Sequence, residues 1–245
     1  MYEKLNCHHR EIIDRLASGG KLNRDEWMIL LDSLDDNDRE YLHHKAAEIA
    51  VQHYGKGVFV RALIEISSYC KNNCNYCGIR ASNTNAQRYR LTKEEILECC
   101  KDGAELGFNT FVMQGGEDPK QNDEWVTDVV KTIRSTYPDK AITLSVGERS
   151  AEAYKAFKDA GADRFLLRHE TRNDEHYADL HPANMSSENR RKCLFTLKEL
   201  GFQTGSGMMI GSPGQTVEHL YEDIKFLEEL EPQMIGVGPF LPATN

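Results

Sequence analysis

The chain is 245 residues long, 40% hydrophobic and 28% charged, with a formal net charge of -9 at pH 7. That length buries a sizeable core, no apolar run is long enough to span a bilayer, and the negative balance disfavours nonspecific binding to nucleic acid or to an anionic membrane surface. Seven cysteines have neither the density nor the even count of a secreted disulfide framework, and no signal peptide precedes them, so a reducing, cytoplasmic setting is expected.

The chain opens with helical patterns over about 7–17, 24–33 and 37–54, which predicts a helical segment over residues 1–56 ahead of a main domain over 57–245. Apolar β-type runs follow at 62–67, 110–114, 141–146, 164–167, 203–210 and 234–240. Between them, Thr92 and Glu95 form a capping box before a helix, and 122–136, 151–160, 187–200 and 216–230 carry 3.6-residue apolar spacing. Gly107, Gly161, Gly201, Pro138 and Pro232 stand where these helices should stop. Six βα repeats with short connections predict an α/β fold of parallel strands wound in one hand, a partial or full β/α barrel of TIM type.

Chemistry in such a fold collects at the carboxyl ends of the strands. Polar or glycine-rich loops fall at five of those ends: the cysteine run after the first strand, Gln114-Gly115-Gly116-Glu117-Asp118, Ser145-Val146-Gly147-Glu148, Arg168-His169-Glu170-Thr171, and Gly211 to Thr216. Ordinary turns explain any one of them but not the set.

The cysteine run is the sharpest signal. Cys70, Cys74 and Cys77 lie within eight residues in the spacing C-x3-C-x2-C. Three soft ligands suit an iron-sulfur cube with one iron left open to a small molecule, whereas structural zinc normally takes four ligands. A zinc knuckle completed by a distant Cys or His is the alternative, since Cys7, Cys99, Cys100, Cys193 and nine histidines are available. Cys99, Cys100 and Cys193 fall in helix patterns and read as packing residues.

Arg168 and Glu170 are two apart, so their side chains share a face over the barrel mouth, either to hold ligand or to pair with each other. His169 points the other way, behind the strand. Arg190 and Arg191 read by composition as a solvated helix face.

The cysteine spacing resembles the radical S-adenosylmethionine (SAM) enzymes. Together with Met113 to Asp118, Leu144 to Glu148, Leu166 to Thr171, Glu188-Asn189-Arg190, Leu197 to Gly201, Pro213 to Thr216 and Ile235 to Phe240, it resembles the HydE-type maturases of iron-iron hydrogenase, with biotin synthase and methylornithine synthase as relatives. The resemblance runs from about residue 60 to 241. It implies a 4Fe-4S cluster on Cys70, Cys74 and Cys77, and cleavage of SAM to a 5'-deoxyadenosyl radical during assembly of the hydrogenase active-site cofactor. It implies that Tyr76, Gly115, Gly116, Glu117, Glu170, Arg190 and Met209 bind SAM: the glycines and Glu117 near its amino group, Arg190 near the methionyl carboxylate, Glu170 at the ribose, Tyr76 and Met209 by the adenine. Arg168 and Glu148 would meet the substrate, and a fixed positive charge at 168 favours a maturase over the biotin-forming relative. Expected partners are a small iron-bound or sulfur-containing precursor, other hydrogenase maturation proteins, and an electron donor such as ferredoxin or flavodoxin, with no nucleic acid and no membrane. A biotin-synthase or methylornithine-synthase type of reaction, and an iron-sulfur carrier or scaffold without SAM chemistry, remain as alternatives. Maturases of this type continue through two more βα units, so the resemblance also implies a truncated chain with an exposed last strand, poorly soluble or weakly active by itself.

Overall fold

The structure is a computed structural model that describes residues 6–243. It divides into two compact units: the described residues up to Phe59 with Thr216–Ile224, and Val60–Gln215 with the described residues from Lys225 on.

The first unit contains α1 (Cys7–Ala17), α2 (Arg24–Met28) and α3 (Asp36–Tyr54). Asn6, Asn23 and Asp35 cap these helices with side-chain oxygens, as residues of that type do at exposed amide ends. A helix expected over 24–33 instead turns π-helical at Ile29–Ser33. Ile12 and Ile13 of α1 and Tyr41 of α3 are buried, and the Tyr41 hydroxyl donates to Asp14 at 2.6 Å.

The second unit is an α/β fold of six parallel strands, as the βα repeats predict. The strands are β1 (Ala62–Ser67), β2 (Thr110–Gly115), β3 (Ala141–Ser145), β4 (Arg164–Leu166), β5 (Gln203–Ile210) and β6 (Met234–Pro239). They pair strictly in chain order, with Ala62 opposite Phe111, Thr110 opposite Ala141, Thr143 opposite Arg164, Arg164 opposite Gln203, and Gly205 opposite Met234. α4 (Lys93–Glu105), α5 (Asp123–Thr136), α6 (Ala151–Asp159), α7 (Asp174–Leu180) and α8 (Ser187–Glu199) alternate with them, and α9 (Val217–Leu230) begins in the first unit and ends in the second. The short α7 is absent from the sequence reading. Its seven residues, DEHYADL, carry too few apolar side chains to show a helical period, and only the Asn173 cap marks it.

Alternate strand residues face opposite ways, as the pleat requires. Ile64, Ile66, Phe111, Met113, Ile142, Leu144, Phe165 and Leu167 pack against Ile96, Val129, Ile133, Tyr154, Phe157, Leu194 and Leu197 of the helices. Cys100 and Cys193 belong to this core, as expected, whereas Cys99 is exposed, one residue off the buried stripe of α4. Ile235 and Val237 of β6 are about half exposed, as is Leu63 of β1. Among the described residues no helix is long and apolar enough to cross a membrane.

Candidate functional site

The carboxyl ends of the strands open into a cavity of about 520 Å³. Its walls include Glu65 and Ser67 of β1, Gln114 and Gly115 of β2, Ser145 of β3, Leu166 and Arg168 at the end of β4, Glu170, Arg190 and, from the cysteine loop, Cys77. A second, more polar cavity of about 470 Å³ lies beside that loop, lined by Lys71, Asn72, Glu117, Asp123, Glu148, Arg149, Asn184 and Met185 among others. Predicted site residues therefore divide. Cys77, Gly115, Arg168, Glu170 and Arg190 share the first cavity, Glu117 and Glu148 line the second, and Cys70, Cys74, Tyr76, Gly116 and Met209 are not among the lining residues of either.

The cysteine loop is built by its neighbours as much as by its own residues. Arg88 lays its guanidinium on the carbonyl oxygens of Ser68, Ile79 (2.8 Å), Arg80 (2.7 Å) and Asn83 (3.1 Å), tying both ends of the loop to one rigid fork. Arg90 stacks on the Tyr69 ring, 3.5 Å from its centroid, and pairs at 2.5 Å with Asp118, which also accepts from the Ser67 hydroxyl at 2.6 Å. Burial works against the Asp118 carboxylate, but the Arg90 and Ser67 hydrogen bonds outweigh it and hold its pKa below the usual range. Sequence reasoning assigned no role to Arg88 or Arg90, and an isolated arginine in a polar loop carries no signal that would reveal one.

The Gly-Gly-Glu segment approaches this loop from β2. A Cβ on Gly116 would collide with the Tyr69 carbonyl and Cys70, so the bare Cα is needed by the cysteine loop itself. Glu117 is buried, pairs with Lys71 at 3.1 Å and accepts from the Glu148 amide at 2.9 Å. Gly147, at φ +79°, makes room for Glu117; any Cβ there would overlap its side chain.

Two ion pairs line the rim. Arg168 and Glu170 approach to 3.4 Å, so the mutual pairing and the shared face foreseen from their spacing both hold, and the Arg168 Nη2 donates to the Met208 carbonyl at 2.6 Å. Glu170 sits in the left-handed region at φ +66°, rare for a residue with a side chain. Its amide donates to Gly207 O at 3.1 Å, which keeps the chain attached to β5 beyond the last regular pair of β4, with one extra residue on the β4 side. His169 is buried on the opposite side, within 4.9 Å of the Phe226 ring. Arg190 is the correction to the composition-based reading: it is only 8% exposed and pairs with Glu148 at 2.6 Å, while Arg191 pairs with Asp174. Burial opposes the Arg190 charge, yet Tyr177, Glu148, Tyr76 and Glu170 around it raise its pKa above the ordinary arginine value. Met209 is buried on β5, its carbonyl accepting from Gln215 at 2.8 Å.

All seven cysteines are free thiols. Burial pushes the Cys74 thiol up to about 12, and the neighbouring Cys77 and Cys70 add to the effect; burial also raises Cys77. Nearby positive charge favours the thiolates: Arg190 acts against the rise at Cys74, while Lys71 is already paired with Glu117. Among the described residues no three Cys, His, Asp or Glu side chains converge on a single-ion site. Three soft thiols presented by one short loop are the donor set that suits three irons of a cube, one thiolate to each, so the residues fit an iron-sulfur cluster.

The chain is 45% identical over 238 residues to the iron-iron hydrogenase maturase subunit HydE of Thermotoga maritima, covering 95% of this chain and 66% of that protein. It overlays the crystal structure of methylornithine synthase with a TM-score of 0.87 at 26% identity, covering 95% of this chain and 68% of the other. With the structure of the hydrogenase maturase HydG the TM-score is 0.82 at 27% identity, covering 100% of this chain and 57% of the other. The chain thus spans about two thirds of the length of the curated relatives it matches. The radical SAM superfamily model matches residues 64–227, from the middle of β1 into α9, and the chain belongs to that superfamily, whose cofactors are a 4Fe-4S cluster and SAM.

Proposed function

We propose that this chain acts as a HydE-type radical SAM maturase in assembly of the active-site cofactor of iron-iron hydrogenase. The 45% identity to the Thermotoga maritima maturase, sustained over 95% of the chain, carries this reading. In it, Cys70, Cys74 and Cys77 hold the cluster, which with bound SAM supplies the one-electron cleavage of the sulfonium carbon-sulfur bond. The backbone at Gly115 and Gly116 and the Glu117 side chain receive the methionyl end of SAM, and Arg190 its carboxylate. Glu170 takes the ribose hydroxyls, and Tyr76 and Met209 border the adenine.

Arg168 and Glu148 are the substrate-facing charges. Arg168 keeps a permanent positive charge over the cavity floor, suited to an anionic precursor bearing iron or sulfur. Glu148 neutralises Arg190 until a ligand carboxylate competes for it. A ferredoxin or flavodoxin as electron donor, other maturation proteins as partners and a cytoplasmic setting complete the reading.

The test is an in vitro hydrogenase maturation assay in which this protein replaces HydE. Hydrogen evolution above the HydE-free control is expected. Release of 5'-deoxyadenosine without any active hydrogenase would move the assignment to an organic substrate, as in methylornithine synthase.

A further inference from the structure

Between β4 and α8 the chain passes through α7 and the turn at His181-Pro182, a stretch to which no role has been attached. It nevertheless grips the cysteine loop. The Asn75 amide donates to Leu180 O at 2.9 Å and its side-chain amide to Asp179 O at 2.7 Å. Met185 brings its sulfur within 3.8 Å of the Cys74 thiol.

At the centre of this contact stands His181, only 4% exposed. Its ring lies flat on Tyr177, with centroids 3.8 Å apart and planes 12° apart. Nδ1 is 2.9 Å from the Tyr177 carbonyl oxygen, and Nε2 is 3.1 Å from the Tyr76 hydroxyl. A carbonyl can only accept, so Nδ1 carries the proton and Nε2 carries the lone pair. Burial pushes the ring pKa down to about 4, which leaves it neutral near pH 7. His181 Nε2 therefore stands as an acceptor for the Tyr76 hydroxyl, which also lies within hydrogen-bond reach of the Cys74 sulfur, and the Tyr76 ring sits edge-on to the imidazole at 5.3 Å.

We propose that His181 is a positioning residue for the cysteine loop: a fixed-tautomer acceptor, braced by Tyr177, that locks the Tyr76 hydroxyl and thereby sets the spacing of Cys74 and Cys77. The inference rests on the reading of those cysteines as cluster ligands, and its test separates the two. In the metal-free protein, nitrogen-15 NMR of His181 reports the tautomer directly; a protonated Nδ1 and a bare Nε2 are expected. In the reconstituted protein, iron release to a chelator reports the hold of the loop.

Losing one buried hydrogen bond predicts release about five- to tenfold faster in His181→Leu and in Tyr76→Phe, with no further acceleration in the double variant. His181→Gln, whose Oε1 reaches about the place of Nε2, should stay within about twofold of the parent. A protonated Nε2, or His181→Leu indistinguishable from the parent, would overturn the proposal, as would His181→Gln failing as badly as His181→Leu. Should the parent protein take up no cluster at all, the ligand reading fails, while the tautomer still decides the role of His181.

Discussion

The two faces of the sheet are made from alternate residues of the same strands, and they obey different rules. On β4, Phe165 enters the helix-packed core while Leu166 lines the cavity; on β1, Ile64 and Ile66 contrast in the same way with Glu65 and Ser67. The helix side is apolar and almost fully dehydrated, and its stability scales with the area it hides. The cavity side keeps charges that are held by partners rather than by packing, so it gains directional groups at some expense of stability. One side makes the fold and the other holds the chemistry.

The largest effect should come from breaking the apolar side. Phe165 is fully buried and meets Tyr154 and Phe202 edge-on at 5.0 and 6.0 Å. Phe165→Ala is expected to destabilise the protein by about 3–5 kcal/mol, read from the denaturant midpoint, through lost transfer energy and a residual cavity. A loss below about 1 kcal/mol would mean that this layer is not close-packed.

A smaller, pH-dependent effect should come from the rim. Because the folded Asp118 pKa is depressed, its ion pair contributes stability above the unfolded carboxylate pKa, and that stability is lost as pH falls through the folded value. Asp118→Asn should cost about 2 kcal/mol at pH 7, in line with hydrogen bonds to charged groups, and should flatten the acid limb of the stability profile. An unchanged acid limb would remove Asp118 from the loop's support.

Legibility in the sequence follows the same division. Strand and helix positions were readable because buried runs and caps are local: Thr92 with Glu95 caps α4 where its sequence context says it should. The gathering of three cysteines in one loop and the closeness of Arg168 to Glu170 were readable from spacing alone. What was not readable depends on the third dimension. Arg190 looks like any helix arginine until Glu148, 42 positions earlier and on another loop, is brought to 2.6 Å. Arg88 acquires meaning only through four carbonyls that the folded loop presents, and α7 is too short and polar to announce itself. Gly116 was expected for the sake of a ligand, whereas its nearest demand is the backbone of Tyr69 and Cys70.

The central claim is that Cys70, Cys74 and Cys77 present a cluster with one open iron to the cavity lined by Arg168, Glu170 and Arg190. Electron paramagnetic resonance of the anaerobically reconstituted, dithionite-reduced protein, recorded with and without SAM, tests it most directly. The account predicts a reduced 4Fe-4S signal that shifts when SAM is added; a spectrum that ignores SAM would contradict it and favour an iron-sulfur carrier instead.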